Sequence, residues 1–162
     1  MEIKVRRANL RDAQRIADFV NKANRDNAVT RQMVALRFSD VGFLLAEMEG
    51  ELVGMLGWQV ENLVARVTDF LVYPAVDRVI AGRALIEAME EEAKLLQAEA
   101  IILFPPPNPS RELLDYWGLF GYERQAIANL PRAWREVARE WNPQATEVIL
   151  KQLRTGLVNR PL

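Results

Sequence analysis

Phe70-Leu71-Val72-Tyr73-Pro74 is an apolar, strand-like run that ends in proline and passes without a gap into Ala75 to Gln97, which reads as a long amphipathic helix. A strand that turns directly into a helix leaves the helix's first backbone N–H groups pointing outward, and such a start is a seat for phosphate or another anion. The connecting residues, Asp77-Arg78-Val79-Ile80-Ala81-Gly82, hold a single glycine, fewer than a close phosphate cradle uses. The rest of the chain narrows the chemistry by omission. It has no cysteine and no histidine, which removes thiolate nucleophiles, disulfides, Ser-His-Asp catalysis and imidazole metal sites. Acid–base work falls to Asp, Glu, Tyr, Lys, the backbone or water.

Three other groupings invite a chemical reading. Glu90-Glu91-Glu92 resembles a paired-carboxylate cluster, but its position inside a helix predicts a solvated face with a Glu90–Lys94 pair. Trp134, Val137, Ala138 and Trp141 share one helical stripe. That stripe packs on a sheet, covers an acceptor site as a lid, or forms a homodimer contact, since exposed aromatics favour interfaces. Pro105-Pro106-Pro107 is expected to end a strand and stiffen the approach to a site.

The elements that must position these residues follow from periodicity. Ile3 and Val5 alternate with Lys4 and Arg6 as a strand. Asn9 is placed to cap a helix with Leu10, Ala13, Ile16, Ala17 and Val20 on one face. A second short helix starts near Thr30. Phe43 to Met48 and Leu52 to Val60 are strands joined at Glu49-Gly50; Glu61-Asn62 turns into a third, Leu63 to Tyr73, completing a meander. After the long helix come an apolar strand, Ala100 to Phe104, and a helix carrying Leu113, Leu114, Trp117 and Phe120, closed by Gly121. Tyr122 to Ala128 and Thr146 to Leu153 form a last strand pair, with a helix from Pro131 to Trp141 between them. This order predicts an α+β, mixed α/β sheet with one crossover helix, in place of a doubly wound nucleotide fold.

Composition sets the class. The 162 residues suit one domain spanning 1–162, half of them apolar, with a formal net charge of −1. That charge argues against nucleic acid as a partner. No apolar run reaches the ~18 residues of a membrane span, and Met1-Glu2-Ile3-Lys4 enters a strand with no signal-peptide core. A cytoplasmic location is expected.

Taken with the element order, two local patterns make the chain resemble the GNAT family, which moves an acetyl group from acetyl-coenzyme A to an amine. The first is Phe70, Val72 and Pro74, then a turn, then Gly82-Arg83-Ala84-Leu85 opening a helix. The second is Asn108 followed by Tyr116, Trp117 and Gly121-Tyr122, with Glu147 to Leu153 similar to the family's last strand. The resemblance runs from Ile3 to Leu153. It implies a central, mostly antiparallel twisted sheet with helices on both faces, acetyl-CoA as co-substrate, and a small-molecule or peptide amine as acceptor. Phe70, Leu71 and Val72 would face the pantetheine arm on a strand splayed from its neighbour. Backbone N–H groups of Arg78, Val79, Ile80, Ala81 and Gly82 would hold the pyrophosphate, with charge from Arg78 and Arg83. Asn108 would bond the cofactor's arm, or else cap the following helix.

Asp69 is the acidic residue placed to act as base on that strand, or is a surface carboxylate. Tyr116 resembles the acid that would protonate the leaving thiolate, or it packs; Trp117 stands in the family's usual register, and indole does not donate a proton in that way. The family's turn usually begins with Arg or Gln and carries glycine at two or three places. Asp77, Arg78 and Ile80 stand there instead, and a β-branched Ile80 resists the close approach that glycine permits. Two functions therefore follow: an N-acetyltransferase acting by direct attack in a ternary complex, or a GNAT-fold binding or regulatory module without catalysis. On the first, Gly82→Glu is expected to abolish cofactor binding and leave the fold intact.

Overall fold

A computed structural model of the chain describes residues 2–24, 28–73 and 78–153. The strands are β1 (Ile3–Arg7), β2 (Gly42–Met48), β3 (Glu51–Glu61), β4 (Val64–Val72), β5 (Ala100–Leu103), β6 (Glu123–Ala126) and β7 (Glu147–Gln152). The helices are α1 (Ala13–Ala23), α2 (Arg31–Arg37), α3 (Arg78–Leu95), α4 (Arg111–Gly118) and α5 (Arg132–Trp141). Strand order is β1-β2-β3-β4-β5-β7-β6. Among the described residues only β4 and β5, joined through α3, run parallel, so this is the mixed, mostly antiparallel sheet expected of the sequence. None of the described helices is long and apolar enough to cross a membrane.

Packing divides into two compact units, Met1–Gln59 with Thr68–Met89, and Val60–Val67 with Glu90–Leu162. The core of the first gathers Ala13, Ile16, Ala17 and Phe19 of α1 with Phe43, Leu45 and Met55. Its entry into α1 is set by charge. Asn9 caps the short 3-10 turn Leu10–Asp12 that leads into the helix, and the Asp12 carboxylate accepts from the Asn9 N–H at 2.9 Å. Arg6 grips Asp12 with both terminal nitrogens, at 3.0 and 2.8 Å, and its Nε donates to Glu47 at 2.9 Å; Arg15 also reaches Glu47.

These bonds hold both carboxyls below their usual range, Arg6 being the largest cause for each. A depressed folded pKa stabilises above the unfolded value and is lost as pH falls through the folded one. Urea unfolding is therefore expected to show Arg6→Ala destabilised by about 1–2 kcal/mol at pH 7. The difference should shrink below about pH 4, where the unfolded carboxyls protonate.

The second unit's core joins Val64, Ala100, Ile102, Val148 and Leu150 of the sheet to Trp134, Val137 and Ala138 of α5. Trp134 is buried and its indole N–H donates to Glu99 at 2.9 Å. Trp141 packs half-buried against that core, under the Arg66 guanidinium at 5.6 Å. The stripe is thus core packing, and Trp134 is not available as the exposed aromatic that the lid and dimer readings need.

Glu90 also departs from expectation. It is 7% exposed, accepts a hydrogen bond from the Tyr122 hydroxyl at 2.8 Å, and takes the Lys151 ammonium on both oxygens at 3.1 Å; Lys94 pairs with Glu91 instead. Burial, together with the Glu90 charge, pushes the Tyr122 hydroxyl upward, so the fold loses stability as pH rises past the ordinary tyrosine value of about 10. Glu90→Ala strands a buried hydroxyl and a partly buried ammonium, and is expected to cost about 2–3 kcal/mol in urea unfolding, with Glu90→Gln costing about half as much.

Several boundaries move by a residue or two. The second hairpin turns at Asn62-Leu63, both left-handed with φ of 48° and 66°, one residue later than expected. The expected strand over Tyr122 to Ala128 shortens to Glu123–Ala126, because a 3-10 turn takes Ile127–Asn129. Gly121 does cap α4: at φ 92°, its N–H bonds Gly118 O at 3.1 Å while Tyr122 N–H bonds Trp117 O at 3.2 Å, a Schellman closure.

Candidate functional site

The two ends of β4 pair with β3 in registers one residue apart. The two-residue turn sets Glu61 opposite Val64, but Tyr73 N–H donates to Val53 O at 2.9 Å, which needs one extra residue in β4. Gly57 marks the place. A Cβ built on it would lie 2.5 Å from Asp69 Oδ2 and 2.7 Å from Thr68 Oγ1, so Thr68 and Asp69 together oppose one residue, as a β-bulge requires. Past the bulge the hydrogen-bonding sides exchange. Leu71 and Tyr73 turn their backbone groups to β3, and those of Phe70 and Val72 turn to the opposite edge. The parallel ladder with β5 covers Val64–Arg66, while β4 continues to Val72. Of the three strand residues expected to face a ligand's arm, Phe70 and Val72 present backbone to that edge, and Leu71 is committed to β3.

The bulge also orients the one carboxylate of the strand. Asp69 accepts from Arg37 of α2 at 2.9 and 2.5 Å, and from the Thr68 hydroxyl at 2.7 Å. Arg37 lies 5.2 Å over the Phe43 ring, and its bond to Asp69 raises its pKa further. The pair is open to solvent, with side chains 43% and 27% exposed, which places it among ion pairs worth roughly 0–1 kcal/mol and free to exchange partners. Neither Arg37 nor Gly57 stood out from the residue pattern. For Gly57 a signal existed, since glycine inside a strand marks a bulge or a close approach; for Arg37 none did.

Pro74 and Asp77 lie outside the described residues; the chain resumes at Arg78, already helical. Arg78, Val79 and Ile80 are the first described residues of α3. Val79 and Ile80 are 42% and 61% exposed, Ala81 is buried, and Arg83 is exposed. Gly82 is the fifth helical residue and buried, so its N–H belongs to the helix ladder. Gly82→Glu would drive a carboxylate into a packed face, and it tests packing before it tests binding.

In the second unit, Tyr116 is half-buried, edge-on to Trp117 and Phe120 at 6.2 and 5.2 Å between ring centres. Asn108 does not cap α4; Ser110 does, accepting from Leu113 N–H at 3.1 Å. Asn108 instead stands exposed at φ 52° after the three prolines, on a cavity of about 560 Å³ shared with Asn142, Gln144 and Thr146. The charged residues of that wall, Arg124 and Glu147, are bonded to each other at 2.7 and 3.0 Å.

The family model described as the acetyltransferase (GNAT) family matches residues 8–118. No curated protein matches the chain in sequence. Among solved structures, N-acetylglutamate synthase from Neisseria gonorrhoeae, in complex with coenzyme A and N-acetyl-glutamate, is 16% identical with a TM-score of 0.69. That alignment covers 95% of this chain and 36% of the synthase, so the chain spans about a third of that relative's length. PaiA N-acetyltransferase from Thermoplasma acidophilum, in complex with coenzyme A, is 12% identical with a TM-score of 0.67, covering 94% of this chain and 99% of PaiA. YncA from Salmonella typhimurium, with acetyl-CoA, is 14% identical with a TM-score of 0.65, covering 99% of both chains. At these identities the likeness is one of fold.

Proposed function

Since the chain belongs to the acetyltransferase (GNAT) family, we propose that it is an N-acetyltransferase that takes acetyl-CoA as donor and a small-molecule or peptide amine as acceptor. The observation that carries this reading is the β4 edge. Past the Thr68-Asp69 bulge the backbone groups of Val72 turn away from β3, just before the helix start at Arg78, and an extended amide-bearing arm can add there as a strand adds to a sheet edge. The CoA-bound relatives support the same donor.

With no cysteine to carry an acyl group, the amine attacks the thioester carbonyl directly, within a ternary complex. The new C–N bond forms as the C–S bond breaks; a backbone N–H stabilises the developing oxyanion. The ammonium proton passes to Asp69 once Arg37 has swung off it, and the leaving thiolate takes a proton from water. Release of coenzyme A thiol, followed with an aromatic disulfide dye by thiol–disulfide exchange across a panel of primary amines, tests this. Thiol release that depends on both the amine and the enzyme is the expected result. Binding of acetyl-CoA without release to any amine would favour a non-catalytic binding module on the same fold.

A further inference from the structure

We infer that the free edge of β6 is a peptide-docking site. An extended segment of a partner protein adds there as a further strand and lodges an uncharged polar side chain in the neighbouring cavity. The site lies wholly within the second unit. β6 ends the sheet order, and among the described residues it pairs with β7 alone. Ile127 N–H bonds Thr146 O at 2.9 Å, in the register that sets Glu123 opposite Leu150 and Ala126 opposite Glu147. That phase turns the backbone groups of Gln125 toward β7 and those of Arg124 and Ala126 outward. Both outward residues are exposed, and such an edge is a template for another strand.

The cavity of about 560 Å³ supplies the second half of the recognition. Arg124 forms part of its wall. Side chains directly opposite on paired strands share a face, so a residue added opposite Arg124 stands beside the cavity. Its charged walls, Arg124 and Glu147, engage each other at 2.7 and 3.0 Å. Asn108, Asn142, Gln144 and Thr146 complete the polar lining, and their side chains carry donors and acceptors without charge. Asn108 is held at φ 52° directly before Pro109, although a following proline favours extended backbone. Strain of this kind gathers at ligand sites, where the surroundings hold it. The four residues of β6 fall far short of the roughly 20–30 a side in a stable dimer, which favours a short peptide over a second copy.

The test is an amide NMR titration of the full chain with acetyl-Val-Thr-Gln-Thr-Val-amide. Saturable shifts at the Arg124 and Ala126 amides and at the Asn108 side chain are expected at millimolar peptide. The same peptide with glutamate at its centre should bind about fivefold or more weakly. Ala126→Pro removes one outward donor and no bond of the β7 ladder, and the native φ of -71° already suits proline. That variant should keep its circular dichroism spectrum and lose about tenfold in peptide affinity. Unchanged affinity in Ala126→Pro, equal binding of the two peptides, or no shifts at millimolar peptide would each overturn the inference. A concentration-dependent dimer that Ala126→Pro abolishes would overturn it too, by giving the edge to a second copy.

Discussion

Asp69→Asn is expected to lower turnover of acetyl-CoA with an amine acceptor about a hundredfold, the ordinary contribution of a positioned base, and to leave acetyl-CoA binding within about twofold. The asparagine amide keeps the size of the carboxylate and can still accept from Thr68, so the bulge survives; what is lost is the group that takes the proton. The substitution also removes one half of the Arg37 fork, whose bonds are 2.9 and 2.5 Å long. Arg37→Gln separates the two effects. It breaks the same fork but keeps the carboxylate, and freeing Asp69 should hold turnover at the wild-type level or above it. The exposed pair contributes at most about 1 kcal/mol, so both variants fold. Equal losses in the two variants would show that the ion pair, and not a base, is what matters at this position.

Gly57→Ala carries the second large effect, by steric means. The added methyl carbon would stand 2.5 Å from Asp69 Oδ2 and 2.7 Å from Thr68 Oγ1, closer than carbon and oxygen approach without bonding, and 3.1 Å from Phe43 Cε1. The first two contacts are the ends of side chains that can rotate, so the fold absorbs the change at about 1 kcal/mol or less, the lower end of overpacking costs. The carboxylate, however, has to leave its place beside Thr68 and Arg37. Turnover is therefore expected to fall by about as much as in Asp69→Asn, while the thermal midpoint moves by only about 2–4 °C. A Gly57→Ala protein with wild-type turnover would remove Asp69 from the reaction.

How far the sequence carried can be traced residue by residue. The element order came through because period-2 alternation in β1, the turn residues between the next three strands and the helical period in α1 and α5 are local signals, readable without a partner strand. Gly121 was legible for the same reason: a glycine three residues past an amphipathic helix has few other uses. The misplaced features are those settled across the chain. Glu90 looked paired to Lys94 because spacing along one helix was the only rule at hand, yet its partners Tyr122 and Lys151 lie 32 and 61 positions away. Arg37 finds Asp69 at a separation of 32. Asn108 lost the capping role to Ser110 because a run with prolines at 105, 106, 107 and 109 delays the helix to Arg111. At the candidate site the strand and its acidic residue were readable. The bulge, which decides that Val72 and not Leu71 presents its backbone outward, depends on the β3 register and was not.

The central claim is that this chain seats acetyl-CoA along the edge of β4 beyond the bulge. Backbone amide shifts recorded while acetyl-CoA is added to the full chain test it most directly. The account predicts saturable shifts at Val72 and in the first turn of α3, at sub-millimolar concentrations. Shifts absent at millimolar acetyl-CoA, or confined to residues of β6, β7 and α5, would contradict it.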